Sequence, residues 1–566
     1  MYVVGNSALV TIINNGTITG GAGGLNSAWP DNYGATGGMG EGGAAGSIRT
    51  GGSQGTSSQG GAGIIGANIA VINNGTITGG IGGTGGLNAG VQNDAVTFQS
   101  GINSLTLTTK SVINGVVSAN GNDDTLTLQN TLSKIDGGQS DGANISATQY
   151  KGFEHLVVNG GRWTVSGSAI VSGETTLNGG ALVVTGPAAL GVQAITAQGG
   201  AIEASGDQVL DQSFVLKNNP YGASTSGLVV QGADNLVLSG VLSDVGRLTK
   251  NGSGTLTLTA DNTYTGGTVF AGGVVSVDKE VRLGGGDLTF NGGTLQVTGT
   301  GWTSTSRAVS LQAGGGTFDI EDAANNFAVT QGVAGAGGLT KSGSGTLTLS
   351  GVNSYTGGTT VSAGTLAVRA DNNLGDASGG LAINGGATLQ LTDNLTTARG
   401  VTLGAGTATI TIDGGKTAQF SNKLTGSGTL AVSGSGTLIL SAANDYSGNT
   451  TIASGSTLQL GDGSTDGRLA GNVANAGTLT FHNKGGTTFA GEISGTGSLV
   501  QNGAGALTLS GDSQGFAGTT TVSSGSLLVS GKLGGTVTVN SGATLDGSGE
   551  IGGNTTVNGT LEGASG

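Results

Sequence analysis

Two imidazoles, His155 and His482, are the only ones available in 566 residues for proton transfer or metal ligation. His155 lies in Gly-Phe-Glu-His-Leu-Val-Val and His482 follows Thr-Leu-Thr-Phe, and neither has a neighbouring motif that would complete a triad. A glycan hydrolase or lyase would need clustered carboxylates, or a base beside one. The densest acidic places are Asp123/Asp124, Glu321/Asp322 and Asp462/Asp466, and each reads as a loop. Gly-Asn-Asp-Asp-Thr-Leu at 121–126 resembles a calcium-binding nonapeptide, but the required Gly-Gly-x-Gly-x-Asp is not repeated. Strings such as Gly252-Ser253-Gly254 open no helix, so they cradle no phosphate. The expectation is a protein without catalytic, metal or cofactor residues.

What remains is contact chemistry. Trp163 and Trp302 fall in strand-like patterns and read as packing, whereas Trp29 stands alone in a glycine-rich stretch. That stretch, residues 25–66, also holds Tyr33 and Arg49, and it reads as a loop protruding between two copies of one motif. VTIINNGTITGGAGG at 10–24 recurs as AVINNGTITGGIGG at 70–83, so Ile13 maps on Ile72 and Asn15 on Asn74. A second protrusion is expected at 218–226 around Pro220 and Tyr221. Trp29, Tyr33, Arg49 and Tyr221 are the candidate binding residues.

The elements that must carry such loops are strands. Apolar residues alternate with Thr or Ser over 255–259, 346–350, 437–441 and 506–510, which is the period of a half-buried strand bounded by glycine. No segment sustains a 3.6-residue period. Gly counts 120 and charged residues are 9% against an average of about 25%. Such a composition suits a disordered chain, but the strict alternation argues against it. Net charge is −14 with scattered Lys and Arg, which excludes a basic nucleic-acid groove. No apolar run is long enough for a membrane helix. The opening lacks a basic start, so no secretory leader is expected there and the chain reads as an excised segment.

The sentence Gly-Ser-Gly-Thr-Leu-Thr-Leu, an Asn-bearing turn, an aromatic and a second alternation occurs four times. Aligned glycines stand at Gly254, Gly345, Gly436 and Gly505, giving steps of 91, 91 and 69 residues and a unit near 22. Dropping one unit while keeping register is the mark of a solenoid. One such unit cannot offset about 1–2 kcal/mol of backbone ordering per residue, so aliphatic columns must be shared between stacked turns. Roughly 25 turns spaced about 4.8 Å apart would make a rod. Asn262, Asn353 and Asn444, two residues before Tyr264, Tyr355 and Tyr446, fit a turn and a ring closing the core, with Phe516 at the matching place.

LTKNGSGTLTLTADNTYTGGTVFAGGVVSV (248–277) and LTKSGSGTLTLSGVNSYTGGTTVSAGTLAV (339–368), with looser copies at 430–460 and 499–529, resemble the passenger-associated transport repeat of bacterial type V autotransporter passenger domains. Stretches at 111–130, 150–167, 306–320 and 542–563 are similar to the same proteins. The resemblance implies a right-handed parallel β-helix that crosses the outer membrane through a C-terminal β-barrel and folds at the cell surface. The lack of cysteine fits passage through an oxidising periplasm. The organisation expected is N-terminal turns with the inserted segment over 1–96, irregular turns over 97–245 and regular repeats over 246–566. The function expected is adhesion, to other passengers or to a host protein or glycan. A passive stalk for an upstream domain and a polysaccharide-degrading enzyme are the alternatives. An ice-binding face would need Thr-x-Thr in many consecutive turns, and that pattern recurs once per several turns.

Overall fold

The computed structural model describes residues 1–4, 9–22, 60–83, 90–108, 110–129, 144–218 and 227–563. Two compact units contain them, one of residues 1–277 with 281–286 and one of residues 278–280 with 287–566. Each is a parallel β-solenoid. Helix among the described residues is limited to single 3-10 turns at Pro187–Leu190, Glu280–Leu283 and Asp371–Leu374.

One turn of the second unit takes three short strands. Leu381–Ile383, Thr388–Leu391 and Leu395–Thr397 follow each other around the coil, and the next strand, Val401–Leu403, pairs in parallel on the first. From Leu381 to Val401 the turn is 20 residues. Register steps from Thr346 to Thr365 and from Thr365 to Thr388 are 19 and 23 residues, so the turn is more variable than a fixed unit near 22. The variation sits at corners, as in the 3-10 turn Asp371–Leu374, because strand length is fixed by the ladder.

The repeats do not stack directly on one another. In the second copy the strand Leu339–Ser342 lies in one row and Thr346–Leu349 in the next. The third copy begins with Thr429–Gly434 in the row that holds Thr346–Leu349 and continues with Thr437–Leu440 one side further round. The fourth begins with Ser498–Gln501 in the row of Thr437–Leu440. A step of 91 residues is therefore four turns plus one side, and 69 is three turns plus one side.

Inward columns form the core. Phe327, Leu347, Leu366, Leu389, Ile410, Val432 and Ile452 are in register on successive turns and buried. Each contributes about 1.5–3 kcal/mol on burial, but only with a neighbour above and below. Corners demand glycine where φ is positive: Gly343 has φ 72°, and a Cβ there would lie 2.2 Å from the Ile320 carbonyl oxygen.

In the first unit a nine-stranded parallel row runs from Val10–Asn14 to Leu242–Ser243. The two N-terminal motif copies are adjacent turns: Ile13 pairs with Ile72, and the Asn74 amide donates to Asn15 at 3.0 Å. Residues 60–67 already belong to the coil, Ile64–Ala67 being a paired strand. An antiparallel bridge joins Ile81 and Gln92, with the Gly82 amide donating to the Val91 carbonyl at 2.9 Å. This antiparallel bridge interrupts the parallel rhythm. Further on, Ala181–Val184, Ala201–Ala204 and Gly227–Gln231 are buried on both faces, and the outward Glu203 carboxylate joins Arg162 at 2.7 Å and Gln231 at 2.5 Å.

Candidate functional site

Trp29, Tyr33, Arg49 and Tyr221 lie outside the described residues. The other chemical candidates are placed, and turn-building accounts for most of their contacts. Asp124 is fully buried, and its carboxylate accepts from Gly121 N at 2.8 Å and from Asn103 N and Nδ2 at 3.0 and 2.8 Å. The Gly-Asn-Asp-Asp string is thus a corner held by amides. Partly exposed His155 pairs through Nε2 with Asp123 at 2.7 Å, while Glu154 accepts from Asp124 N. Asp462 accepts from Thr465 N at 2.7 Å, Ser464 N at 2.9 Å and Gln419 Nε2 at 2.8 Å. These donors, Thr465 foremost, hold its carboxyl below the usual carboxylate range. Asp466 instead accepts from Lys484 N and Gly485 N. Among the described residues no three His, Asp or Glu side chains are grouped to hold a metal ion. Gly511-Asp512-Ser513-Gln514-Gly515 has the spacing of a hydrolase elbow, but Ser513 is buried, accepts from Ile493 N at 2.9 Å and begins no helix.

Both tryptophans are packed, Trp163 in the strand Arg162–Ser166 and Trp302 in the segment before Ser304–Thr305. Trp163 donates to the Gly160 carbonyl at 2.8 Å, and Trp302 sits edge-on to Phe327 with centroids 4.8 Å apart.

The repeat turns are bolted by the same few side chains each time. Asn262, Asn353 and Asn444 accept from Leu242 N, Val333 N and Leu424 N at 2.8, 2.7 and 2.9 Å, and donate to the carbonyls of Arg282, Asn373 and Arg468. Tyr264, Tyr355 and Tyr446 meet Thr268, Thr359 and Thr450 through their hydroxyls at 2.6, 2.6 and 2.5 Å. Burial pushes the Tyr355 and Tyr446 phenols up to about 12. In the fourth copy Phe516 replaces the tyrosine and Thr520, four residues on, has a buried Oγ1 without a partner. Phe516→Tyr is expected to supply that partner and raise stability by about 1 kcal/mol. A urea midpoint that stays or falls would show that the cavity cannot seat the hydroxyl.

Lys250 and Lys341 point inward at matching places in the first two copies. Lys250 Nζ donates to the carbonyls of Asn251 and Gly252 at 2.6 and 2.9 Å, and Lys341 Nζ to those of Ser342, Gly343 and Ala363 at 2.6, 2.9 and 3.2 Å. Desolvation lowers both ammonium groups to about 8, with Asp319 partly opposing it at Lys341. The fourth copy has Gln501 here, donating to Gly503 and Gly505.

The outer faces show what the repeat count concealed. Thr417, Thr437, Thr457, Thr478, Ser498, Thr519 and Thr536 form one continuous column over seven strands. Two residues on, a parallel column reads Gln419, Ile439, Gln459, Thr480, Val500, Thr521 and Thr538, and neither column contains a charge. A different row carries Thr294, Thr317, Thr340, Thr360, Ala382, Thr402 and Thr425. Beside Thr317, Thr340 and Thr360 runs a groove of about 260 Å³ floored by Gly292, Gly315, Gly338 and Gly358. Thr-x-Thr is sparse within the repeat sentence, yet the hydroxyls are dense, because the neighbours in a column are about twenty residues apart in sequence.

Comparison with known proteins places this coil. The passenger-associated-transport-repeat model matches residues 248–277, 339–368, 430–460 and 499–529. The chain carries four passenger-associated transport repeats. It is similar to the adhesin BmaC autotransporter of Brucella suis biovar 1 (strain 1330), 35% identical over 230 residues. That match covers 36% of the chain and 7% of the length of BmaC, so the chain spans a small part of this relative.

Proposed function

We propose that this chain is a non-enzymatic adhesive surface, displayed outside the cell on an outer-membrane-attached protein, that holds other passengers or a host protein or glycan. The observation carrying this reading is the uncharged hydroxyl face of the second unit, Thr417 to Thr536 in unbroken register. A chain with net charge −14 repels its own kind elsewhere, whereas this face offers repeated weak hydrogen bonds whose sum is an avidity. Similarity to a protein named an adhesin supports the same reading. Export through a β-barrel and a contribution to aggregation, biofilm or host attachment belong to it as proposals.

The test is display of the segment on cells, comparing wild type with Thr437→Glu, Thr478→Glu and Thr519→Glu combined. The three positions lie two turns apart, so the new carboxylates are not direct neighbours in the column. Settling or attachment is expected to drop several-fold at unchanged surface level. Equal adhesion by both forms favours a passive stalk.

A further inference from the structure

Asn-Gly pairs are frequent in this chain, but one of them is arranged unlike the others. At Asn251-Gly252 the Gly252 amide is outside the strand ladder and donates to the carboxamide Oδ1 of Asn251 itself at 2.9 Å. The nitrogen and the side-chain carbonyl that close a five-membered imide are therefore already together. Gly252 has φ 71°, and a Cβ would lie 2.3 Å from the Gly232 carbonyl oxygen, so the site admits only glycine. The carbonyl of that same peptide bond, Asn251 O, accepts from the Lys250 ammonium at 2.6 Å. A cation on the carbonyl oxygen withdraws charge from the amide and makes its N–H more acidic.

We propose that Asn251 is a self-modifying site, converted through a cyclic imide to isoaspartate or aspartate with Lys250 as the catalytic residue. Gly252 N loses its proton to solvent base and attacks Asn251 Cγ. The N–Cγ bond forms, the Cγ–Nδ2 bond breaks, and the amide nitrogen leaves as ammonia with a proton from solvent. Water then opens the imide. Attack at Cγ gives aspartate, and attack at the former backbone carbonyl gives isoaspartate. In the second route the negative charge of the addition step develops on the oxygen that Lys250 already holds, and the new carboxylate stays paired with that buried ammonium. Lys250 thus favours isoaspartate, which adds a negative charge and a backbone methylene to the corner of the first repeat.

The other copies are internal controls. Ser342 and Ser433 occupy the matching place in the second and third, where no carboxamide is present. The fourth has Asn502-Gly503, but its inward Gln501 donates to Gly503 O and Gly505 O and carries no charge. At Asn291-Gly292 and Asn178-Gly179 the glycine amide is engaged by backbone carbonyls, Gly315 O at 2.8 Å and Val158 O at 3.2 Å.

The experiment is incubation of the whole chain near pH 7, where the Lys250 ammonium, lowered to about 8, keeps its proton, followed by proteolysis and mass mapping, with isoaspartate methyltransferase labelling to separate the two products. Asn251 is expected to convert roughly tenfold faster than Asn502, the effect of one charge-assisted hydrogen bond, and to yield mainly isoaspartate. Lys250→Gln should bring it down to the Asn502 rate. Equal rates at Asn251 and Asn502 in the wild type overturn the proposal without reference to any variant, as does conversion led by Asn291 or Asn178.

Discussion

Arg399→Met is expected to cost about 3–5 kcal/mol, the range for removing one member of a buried ion pair. The Arg399 side chain is 1% exposed and points into the corner closed by the 3-10 turn Asp371–Leu374. Its Nε meets Asp371 Oδ1 at 2.8 Å, and its two terminal nitrogens donate to the carbonyls of Asp371, Gly375, Asp376 and Gly379. Methionine keeps much of the stem volume but leaves these carbonyls and the Asp371 carboxylate without their donor. Because a solenoid opens in local blocks, the loss belongs in hydrogen exchange of the turns around 371–403 more than in a single global midpoint. Asp371→Asn should cost clearly less, since the four carbonyl bonds survive. A change below about 1 kcal/mol for Arg399→Met would mean that water replaces the guanidinium at this corner.

How far the sequence reveals this molecule depends on which contacts are local. Alternation in Thr346–Leu349 or Thr437–Leu440 states its own strand and its own buried face, so the coil and its columns are legible. The Asn and Tyr of the first three repeats are legible as turn residues for the same reason. The rotation of each copy by one side is not, because it depends on corner lengths that differ between turns. The Thr417 to Thr536 column is equally hidden, being assembled from residues on seven different turns. Its one advance signal is a hydroxyl residue opening each strand at intervals of about twenty. Nothing in Thr-Ala-Arg-Gly marks Arg399 as buried, since only the fold brings the carbonyls of residues 371–379 around it. Of the contact residues expected from the sequence, Trp29, Tyr33, Arg49 and Tyr221 remain proposals.

Asn353→Ala is expected to destabilise the second unit by about 2–4 kcal/mol, because it strands a donor and an acceptor in one step. Asn353 is 4% exposed. Its Oδ1 takes the Val333 amide on the preceding turn, and its Nδ2 serves the Asn373 carbonyl on the following one, so a single side chain ties three levels of the coil. Neither backbone group has access to water once the Tyr355 ring and the Asp371–Leu374 turn close over them, Tyr355 and Asn373 being buried as well. The fourth repeat supplies the comparison. Ser513 stands where Asn353 does and accepts from Ile493 N at 2.9 Å, but a hydroxyl is too short to serve both neighbouring turns. Asn353→Ser should therefore restore the Val333 bond and recover about half of the loss. In amide exchange, the Val333 N–H should become unprotected in the alanine variant and stay protected in the serine variant. If both variants expose Val333 alike, the asparagine acts by filling space, and the hydrogen-bonded tie between turns is not what selects it.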